Sequence, residues 1–208
     1  MLQMLAATTN KNKVREFQKI LQEAGSEIVI VPQNTISGLP EIIEDGKTFK
    51  ENAMKKAREI SKFTDMAVIA DDSGLAVDAL DGAPGIYSAR YAGEGANDSE
   101  KIAKLLKNMK GISNREAKFV CVAAIACKGK EIAHFTGEIR GTIAEEPSGT
   151  NGFGYDPVFL PENSSRTFAE YSDAEKNAVS HRGKAMRAAA EFLRNNLAKL
   201  NSTVSDTL

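Results

Sequence analysis

The stretch KFVCVAAIACKGKEIAHFTGEIRGTIAEEP, residues 118–147, decides the class of fold. It contains two long runs of mostly apolar and β-branched residues, separated by the turn-forming tripeptide 128–130, Lys-Gly-Lys. This pattern predicts two long strands joined as a hairpin, with the second strand continuing to about Ala144. Because a hairpin pairs its strands antiparallel, a sheet that contains it cannot be purely parallel.

Upstream of this hairpin, strands and helices alternate. Apolar runs predict strands at residues 2–8, 26–32 and 65–70, and helical spacing predicts helices over 14–25 and 49–63. Thr48 and Glu51 form a capping-box pattern at the second helix, and Asn97 can cap a third helix over 98–109. Alternation followed by a hairpin predicts an α/β fold, a mixed sheet with flanking helices.

Downstream of the hairpin, a glycine-rich loop (GTNGFGYDPVF, 149–159) leads into a short strand. The acidic segment 169–181 then precedes a last helix over 183–200. We find no internal repeat and no low-complexity linker. We therefore expect residues 1–200 to form a single domain and residues 201–208 a frayed tail.

Composition excludes several classes of protein. The 208 residues include 27 basic and 28 acidic side chains, a formal net charge of -1, which argues against binding to a nucleic-acid polymer or a membrane surface. Cys121 and Cys127 fall on one face of a predicted strand, too far apart to form a disulfide. The chain has neither a signal-peptide pattern nor a membrane-length apolar run, so we expect a reduced, cytoplasmic protein.

The loop TTNKNK, residues 8–13, joins the first strand to the first helix. Backbone N–H groups and the helix dipole at such a position favour anions, and Lys13 adds a positive charge. The sequence contains no GxxxxGK[ST], so this is not a Walker A loop. An ordinary connection with solvated lysines remains the alternative.

Two adjacent carboxylates, Asp71 and Asp72, follow the apolar run in VIADDSGL, residues 68–75. The carboxyl ends of strands are where α/β proteins bind ligands, and carboxylates suit Mg²⁺ when substrate phosphates complete its shell. Glu44 and Asp72 are the candidate pair of metal ligands, with Ser73 in a tight turn after them. Consecutive strand residues face opposite sides, so the two acids cannot share one role. A simple turn is the alternative.

Three further features are ambiguous by themselves. Lys56 borders the apolar stripe of the second predicted helix and can reach into a cleft, although a solvated basic helix explains it better. Phe153, between two glycines, can stack on a flat base or pack in the core. His181 and Arg182 supply donors suited to phosphate or to a purine carbonyl edge.

Together these segments resemble the inosine triphosphatase family, also called Ham1-like, over about residues 4–195. The resemblance is carried by several long motifs in order: ATTNKNKVREF, EDGKTFKENAMKKA, ADDSGLAVDALDGAPGIYSARYAG, GTNGFGYDPVF and SHRGKA. It implies an elongated mixed sheet with two lobes that enclose a nucleotide cleft, and a homodimer. It also implies Mg²⁺-dependent hydrolysis of ITP, dITP and XTP to the monophosphate and pyrophosphate.

The resemblance also implies a role for each matching residue. Asp72 would be the catalytic base and, with Glu44, would hold Mg²⁺. The triphosphate would be bound by Thr8, Thr9, Asn10, Lys11, Asn12, Lys13, Lys56 and Ser73. The base and sugar would contact Phe153, Gly154, Tyr155, Asp156, Lys176, His181 and Arg182. For Asp71 it is strand alternation, rather than the resemblance, that predicts a supporting role without part in the chemistry.

Two other functions fit parts of the pattern. A pyrophosphatase for modified pyrimidine or methylated nucleotides would share the phosphate and metal residues and differ around Phe153. A nucleotide sensor without catalysis would bind tightly but release no pyrophosphate. The presence of both candidate metal carboxylates and of the lysines disfavours the sensor.

Overall fold

The computed structural model describes residues 3–25 and 28–205. Its strands are β1 (Gln3–Ala6), β2 (Val29–Pro32), β3 (Ala67–Val77), β4 (Glu116–Cys127), β5 (Lys130–Ile143) and β6 (Phe159–Pro161). Its α-helices are α1 (Lys11–Glu23), α2 (Phe49–Ile60), α3 (Asp98–Asn108), α4 (Asp173–Val179) and α5 (His181–Ser205). In the part of the chain that the structure describes, no helix has the length and apolar character needed to cross a membrane.

The strands form one mixed sheet in the order β2-β1-β3-β4-β5-β6. β1 is parallel to β2 and to β3, whereas β5 and β6 are antiparallel. The neighbours β4 and β5 are joined only by Lys128 and Gly129, whose φ angles of 49° and 76° match a two-residue hairpin turn with positive φ at both positions. The predicted hairpin and the mixed α/β sheet are therefore confirmed.

The chain divides into two compact units. Among the described residues, the first comprises those up to Asp72, Cys121–Thr136 and those from Arg182 to Ser205; the second comprises Ser73–Val120 and Gly137–His181. In the first unit, alternate residues of the central strands bury on opposite faces of the sheet. Ile69 packs in a cluster with Phe17 of α1 and Met186 of α5, whereas its neighbour Val68 packs with Ala53 of α2.

The second unit has an aromatic core. Phe119 of β4 lies edge-on to Phe159 of β6, with 4.6 Å between ring centroids, and both pack with Leu105 of α3. Phe168 completes the cluster at 5.2 Å from Phe159. Aromatic pairs at such distances add stability beyond the apolar area that they bury.

Several predicted boundaries were wrong. β3 does not end before the acid pair but continues through it to Val77, because Leu75 and Val77 are themselves buried. No tight turn therefore follows Asp72. The acidic segment contains α4, which begins with a capping box between Ser172 and Glu175. The S-x-x-E signal for this helix was present in the sequence.

The last helix also differs from its prediction. α5 begins at His181 and runs to Ser205, so the segment predicted to fray from residue 201 is helical as far as Ser205. Residues 206–208 of that tail lie outside the described residues, as do residue 2 and residues 26–27 of two predicted strands. The predicted caps Thr48 and Asn97 are confirmed.

Candidate active site

The loop 8–13 is shorter than predicted because α1 begins inside it, at Lys11. The Asn10 side chain caps the helix and accepts hydrogen bonds from the N–H groups of Asn12 and Lys13 at 2.9 and 3.3 Å. Thr8 Oγ1 accepts from the N–H of Asn10. The loop is thus held by its own polar side chains, while Thr9, Asn10 and Lys11 are exposed and can meet a ligand.

Lys13 is not a solvated lysine, because its ammonium lies 2.9 Å from Asp71 Oδ1. The other oxygen, Asp71 Oδ2, lies 3.3 Å from a terminal nitrogen of Arg182. The same guanidinium donates to Glu16 Oε2 at 2.6 Å. Asp71 and Arg182 are almost completely buried, so these four side chains form a buried charge network around the first acid of the pair.

The network sets the ionisation of Asp71 and Arg182. Burial alone would raise the pKa of Asp71, but the charges of Lys13, Arg182 and Lys56 outweigh it and hold that pKa well below its usual range. For Arg182, burial would lower the pKa, but Glu16 and Asp71 raise it above its usual value. Asp71 is therefore a permanent carboxylate held between cations.

Asp72 faces the other side of β3, as strand alternation predicted. Its Oδ2 accepts a hydrogen bond of 2.9 Å from the side-chain amide of Asn52 in α2. Burial is the largest effect on this carboxyl, and it raises the pKa of Asp72 to about 6, even though the Asn52 hydrogen bond opposes the rise. The negative charge of Glu44 raises it further. Asp72 can thus exchange a proton near neutral pH, as a general base requires.

Lys56 reaches the same region from α2. Its ammonium pairs with Glu44 and donates to the backbone carbonyl oxygen of Asp71 at 3.0 Å. Burial lowers the pKa of Lys56, but Glu44, Asp71 and Asp72 together raise it above its usual value. The solvated basic helix was therefore the wrong interpretation for Lys56, whose side chain is only 13% exposed. The interpretation as a solvated basic residue fits Lys55 instead, which pairs with Asp45 at the surface.

The donor set fits Mg²⁺ shared with a phosphate ligand. Among the residues that the structure describes, no group of three His, Cys, Asp or Glu side chains could hold a metal ion alone. Glu44 lies close enough to Asp72 for its negative charge to raise the pKa of Asp72. Mg²⁺ is commonly held by one or two carboxylates together with substrate phosphates and water. These two acids can supply that protein share.

A cavity of about 400 Å³ in the first unit opens beside these side chains. Its lining includes Thr8, Thr9, Glu44 and Lys56. This volume falls in the range of small-molecule sites in proteins. The structure thus brings parts of the predicted phosphate loop, one predicted metal ligand and a buried lysine to one cavity.

The second unit contains a further buried ion pair. Lys176 lies 2.7 Å from Asp156 Oδ2, with both side chains at most 5% exposed. The same oxygen accepts from the N–H of Phe153, and the Lys176 ammonium lies 4.8 Å from the centroid of the Phe153 ring. A Cβ at Gly152 would lie 2.1 Å from this oxygen, so only glycine allows the close approach.

The neighbouring predicted site residues are held by contacts within the second unit. The N–H of Gly154 donates to Asp98 at the start of α3, and the Tyr155 hydroxyl donates to the carbonyl of Ser88. The ring of His181 stacks on Phe119 with 4.6 Å between centroids. Ser73 also belongs to this unit. Hydrogen bonds on either side of Phe153 therefore hold the glycine-rich loop that carries it.

The sequence interpretation missed two residues of the first unit. Glu16 binds Arg182, and Asn52 binds Asp72, yet neither was among the predicted site residues. Asn52 carried a signal, since it lies four residues before Lys56 on the buried stripe of α2, where a polar side chain needs a partner. Glu16 carried none, because its partner is 166 residues away in the chain.

Comparison with known proteins identifies relatives across most of the chain. The sequence model of the Ham1 family matches residues 4–192. A dITP/XTP pyrophosphatase of Bacillus licheniformis is 49% identical over 195 residues, which cover 93% of this chain and 98% of the relative. Another from Desulfotalea psychrophila is 50% identical over 183 residues, which cover 88% of this chain and 81% of the relative.

Solved structures give the same result. A HAM1 protein from Coxiella burnetii superimposes with a TM-score of 0.83 at 43% identity, covering 94% of this chain and all of that one. The Ham1 protein of Staphylococcus aureus also gives 0.83, at 38% identity, covering 93% of this chain and 99% of that one. These structures share the mixed α/β fold described above.

Proposed function

This chain belongs to the Ham1 family and is a hydrolase of nucleoside triphosphates, and from that premise we propose that it acts on noncanonical purine nucleotides. Its substrates are dITP, ITP and XTP, which it converts to the monophosphate and pyrophosphate with Mg²⁺. The names of the relatives support this assignment, because they are dITP/XTP pyrophosphatases.

One observation supports the mechanism above the others. Of two adjacent buried carboxyls, Asp71 is neutralised by Lys13 and Arg182, whereas burial raises the pKa of Asp72 to about 6 in metal-free protein. A general base works best when its pKa lies near the working pH. Asp72 is therefore our candidate for the base that activates water.

The reaction balances as a simple hydrolysis. The water oxygen forms a bond to the α-phosphorus, and the bond from that phosphorus to the bridging α-β oxygen breaks. Asp72 accepts the proton from water, and pyrophosphate leaves with the electron pair of the broken bond. The nucleoside monophosphate retains the oxygen from water.

Charge neutralisation is the other requirement of this step. Negative charge shifts from the α-phosphate toward the leaving pyrophosphate, and fixed cations stabilise it. Lys56 is held beside the cavity by Glu44, and Lys13 is held by Asp71. We assign the phosphates to these lysines and to Thr8, Thr9, Asn10, Lys11, Asn12 and Ser73. When bound at Glu44 and Asp72, Mg²⁺ would supply further neutralisation.

Residues of the second unit are our candidates for binding the base and sugar. The Phe153 ring offers a flat face, and Gly154, Tyr155, Asp156 and Lys176 adjoin it in sequence or in contact. His181, which stacks on Phe119 in the same unit, completes the proposed set. A 6-oxo purine presents an acceptor where adenine presents a donor, so N–H donors such as the Lys176 ammonium favour the 6-oxo base. Arg182 also belongs to the predicted set, although its guanidinium already binds Glu16 and Asp71.

Three wider features complete the proposal. The family resemblance supports a homodimer, and removal of noncanonical nucleotides from the precursor pool is the biological role that such an activity would serve. The cysteines Cys121 and Cys127 are not bridged in the structure, which agrees with a reducing compartment such as the cytoplasm.

A substrate panel tests this function. Pyrophosphate release is measured from dITP, ITP, XTP, GTP, dATP and dUTP, with and without Mg²⁺. We expect dITP, ITP and XTP to exceed dATP and dUTP in kcat/KM by at least about tenfold, a difference of roughly 1.4 kcal/mol in the transition state. GTP also carries a 6-oxo group, so its turnover measures how strongly the 2-amino group is rejected. A preference for dUTP would instead indicate a pyrimidine pyrophosphatase. Tight binding without pyrophosphate release would indicate a sensor.

A further inference from the structure

Asn52 makes two directional hydrogen bonds inside the first unit. Its side-chain amide nitrogen donates to Asp72 Oδ2 at 2.9 Å, and this contact is buried. Its side-chain oxygen accepts from the N–H of Gly46 at 2.8 Å, and this contact is partly buried. Asn52 itself is 1% exposed.

These two partners fix the orientation of the amide. A carboxylate only accepts hydrogen bonds and a backbone N–H only donates, so a flipped Asn52 would place oxygen against oxygen and nitrogen against nitrogen. The amide therefore has one favourable orientation. In that orientation it joins the Asp72 carboxylate to the segment that carries Glu44, two residues before Gly46.

The start of α2 does not require Asn52. Thr48 Oγ1 already accepts from the N–H of Glu51, and the Glu51 carboxylate accepts from the N–H of Lys47. The helix is thus capped by two other side chains. A role for Asn52 as a helix cap is therefore unnecessary.

We propose that Asn52 is a positioning residue that sets the Asp72 carboxylate and the Glu44 segment in a fixed relation to the bound triphosphate. This inference rests on the proposed function, because Asn52 acts on the reaction through Asp72, the proposed base. Loss of a hydrogen-bond partner behind a metal-binding or catalytic carboxylate typically costs 10–100-fold in affinity or activity. The loss falls on kcat when the ground-state contacts to substrate are unchanged.

Gly46 provides an independent way to disturb the same contact. A Cβ at position 46 would lie 2.6 Å from Asn52 Oδ1 and 2.8 Å from Glu51 Cβ. Both separations are too short for real carbon contacts, so Gly46→Ala must displace the amide or the segment. The substitution disturbs this contact while Asn52, Asp72 and Glu44 all keep their own side chains.

The experiment compares Asn52→Leu, Gly46→Ala and a control, Ser61→Ala. Leu has the same number of side-chain heavy atoms and the same branching as Asn but no polar atoms. Ser61 is a fully buried hydroxyl at the C-cap of α2 that donates to the carbonyl of Arg58 and accepts from the N–H of Gly129. Ser61→Ala therefore removes two buried hydrogen bonds at the same helix without touching Asp72.

Two readouts separate positioning from stability. For dITP, we expect kcat to fall about 10–100-fold in Asn52→Leu and Gly46→Ala, with KM changed less than about threefold and Ser61→Ala close to wild type. The second readout is Mn²⁺ binding by electron paramagnetic resonance, with an α,β-imido analogue of dITP bound. We expect its affinity to fall about tenfold in the two site variants only.

The outcomes distinguish the two hypotheses. Wild-type kcat and Mn²⁺ affinity in folded Gly46→Ala and Asn52→Leu, beside an active wild type, would overturn the positioning role alone. An equal loss in Ser61→Ala would overturn it as well. If Asn52→Leu does not fold, Gly46→Ala decides. A wild type that releases no pyrophosphate from any nucleotide of the panel would overturn the proposed function.

Discussion

Asp71 and Asp72 are neighbours in β3 and both are buried, at 0% and 6% exposure, yet their surroundings differ. Asp71 faces α1 and α5 and lies between the cations of Lys13 and Arg182. Asp72 faces α2, where its oxygen meets the neutral amide of Asn52. The pKa of the first carboxyl is lowered and that of the second is raised to about 6.

The difference shows that burial alone does not decide whether an acid is structural or chemical. Both carboxyls are desolvated, and Asp71 has two counter-charges, Lys13 and Arg182, at salt-bridge distance. A carboxylate whose charge is already neutralised by neighbouring cations has little tendency to accept a proton. The acid with a neutral partner retains that capacity, which is why we place the chemistry at Asp72.

The largest expected effect separates the two acids in catalysis. Asp72→Asn keeps the volume of the side chain but removes the base, so kcat for dITP should fall about 10³-fold or more. Pyrophosphate release per folded molecule measures this effect. Asp45→Asn, at an exposed surface pair, is the matched control and should keep wild-type turnover. Turnover near wild type in a folded Asp72→Asn protein would show that Asp72 is not the catalytic base.

The second-largest expected effect distinguishes Asp71 from Asp72 by the free energy of unfolding. Asp71→Asn leaves Lys13 and Arg182 without their shared carboxylate in a buried setting. Breaking a buried ion pair from one side typically costs about 3–5 kcal/mol. Denaturant unfolding at pH 7 should show a loss of that order. A free energy of unfolding within about 0.5 kcal/mol of wild type would mean that the network contributes nothing to the fold.

The dependence of stability on pH should have opposite signs at the two positions. The pKa of Asp72 is raised, so in metal-free protein the folded state binds its proton more tightly and stability falls as pH rises from about 4 to 6. Asp72→Asn should remove this loss, making the variant more stable than wild type at pH 8 by on the order of 2 kcal/mol. Unfolding in EDTA across this range measures it; parallel curves for both proteins would contradict it.

Asp71 should behave in the reverse way. Its pKa is lowered, so its contribution to stability is present above the ordinary aspartate pKa of about 3.9 and is lost only at lower pH. Between pH 5 and 8 the Asp71→Asn variant should therefore differ from wild type by a constant amount. A difference that grows with pH in this window would contradict the assignment.

The smallest expected effect on enzyme kinetics lies in the second unit. Asp156→Asn removes the counter-charge of the buried Lys176 but keeps an acceptor for the N–H of Phe153. If these residues bind the base, KM for dITP should rise about tenfold with little change in kcat. Glu138→Gln, at an exposed pair in the same unit, is the control. An unchanged KM would exclude Asp156 and Lys176 from base recognition.

Much of the fold was predictable because its signals are local. The turn at Lys128 and Gly129 carries its own conformational signal, and the caps Thr48 and Asn97 are read from three or four residues each. The opposite orientation of Asp71 and Asp72 follows from strand geometry alone. These features need no knowledge of distant parts of the chain.

The unpredicted features depend on contacts between distant segments. β3 continues through two carboxylates because Lys13, Arg182 and Asn52 satisfy them, and these partners come from three different helices. The helix pattern by itself favoured a solvated Lys56, and it could not reveal the partner Glu44, which lies in an irregular segment. Sequence spacing cannot reveal such pairs, since their charges meet only after the chain has folded.

The most direct test sets the two asparagine variants side by side. kcat for dITP is measured for Asp71→Asn and Asp72→Asn in Mg²⁺, corrected for the folded fraction of each protein, together with the free energy of unfolding. Compared with Asp71→Asn, we expect Asp72→Asn to have a kcat lower by at least about tenfold and a higher stability at pH 8. Equal losses of kcat, or a greater loss at Asp71, would contradict it.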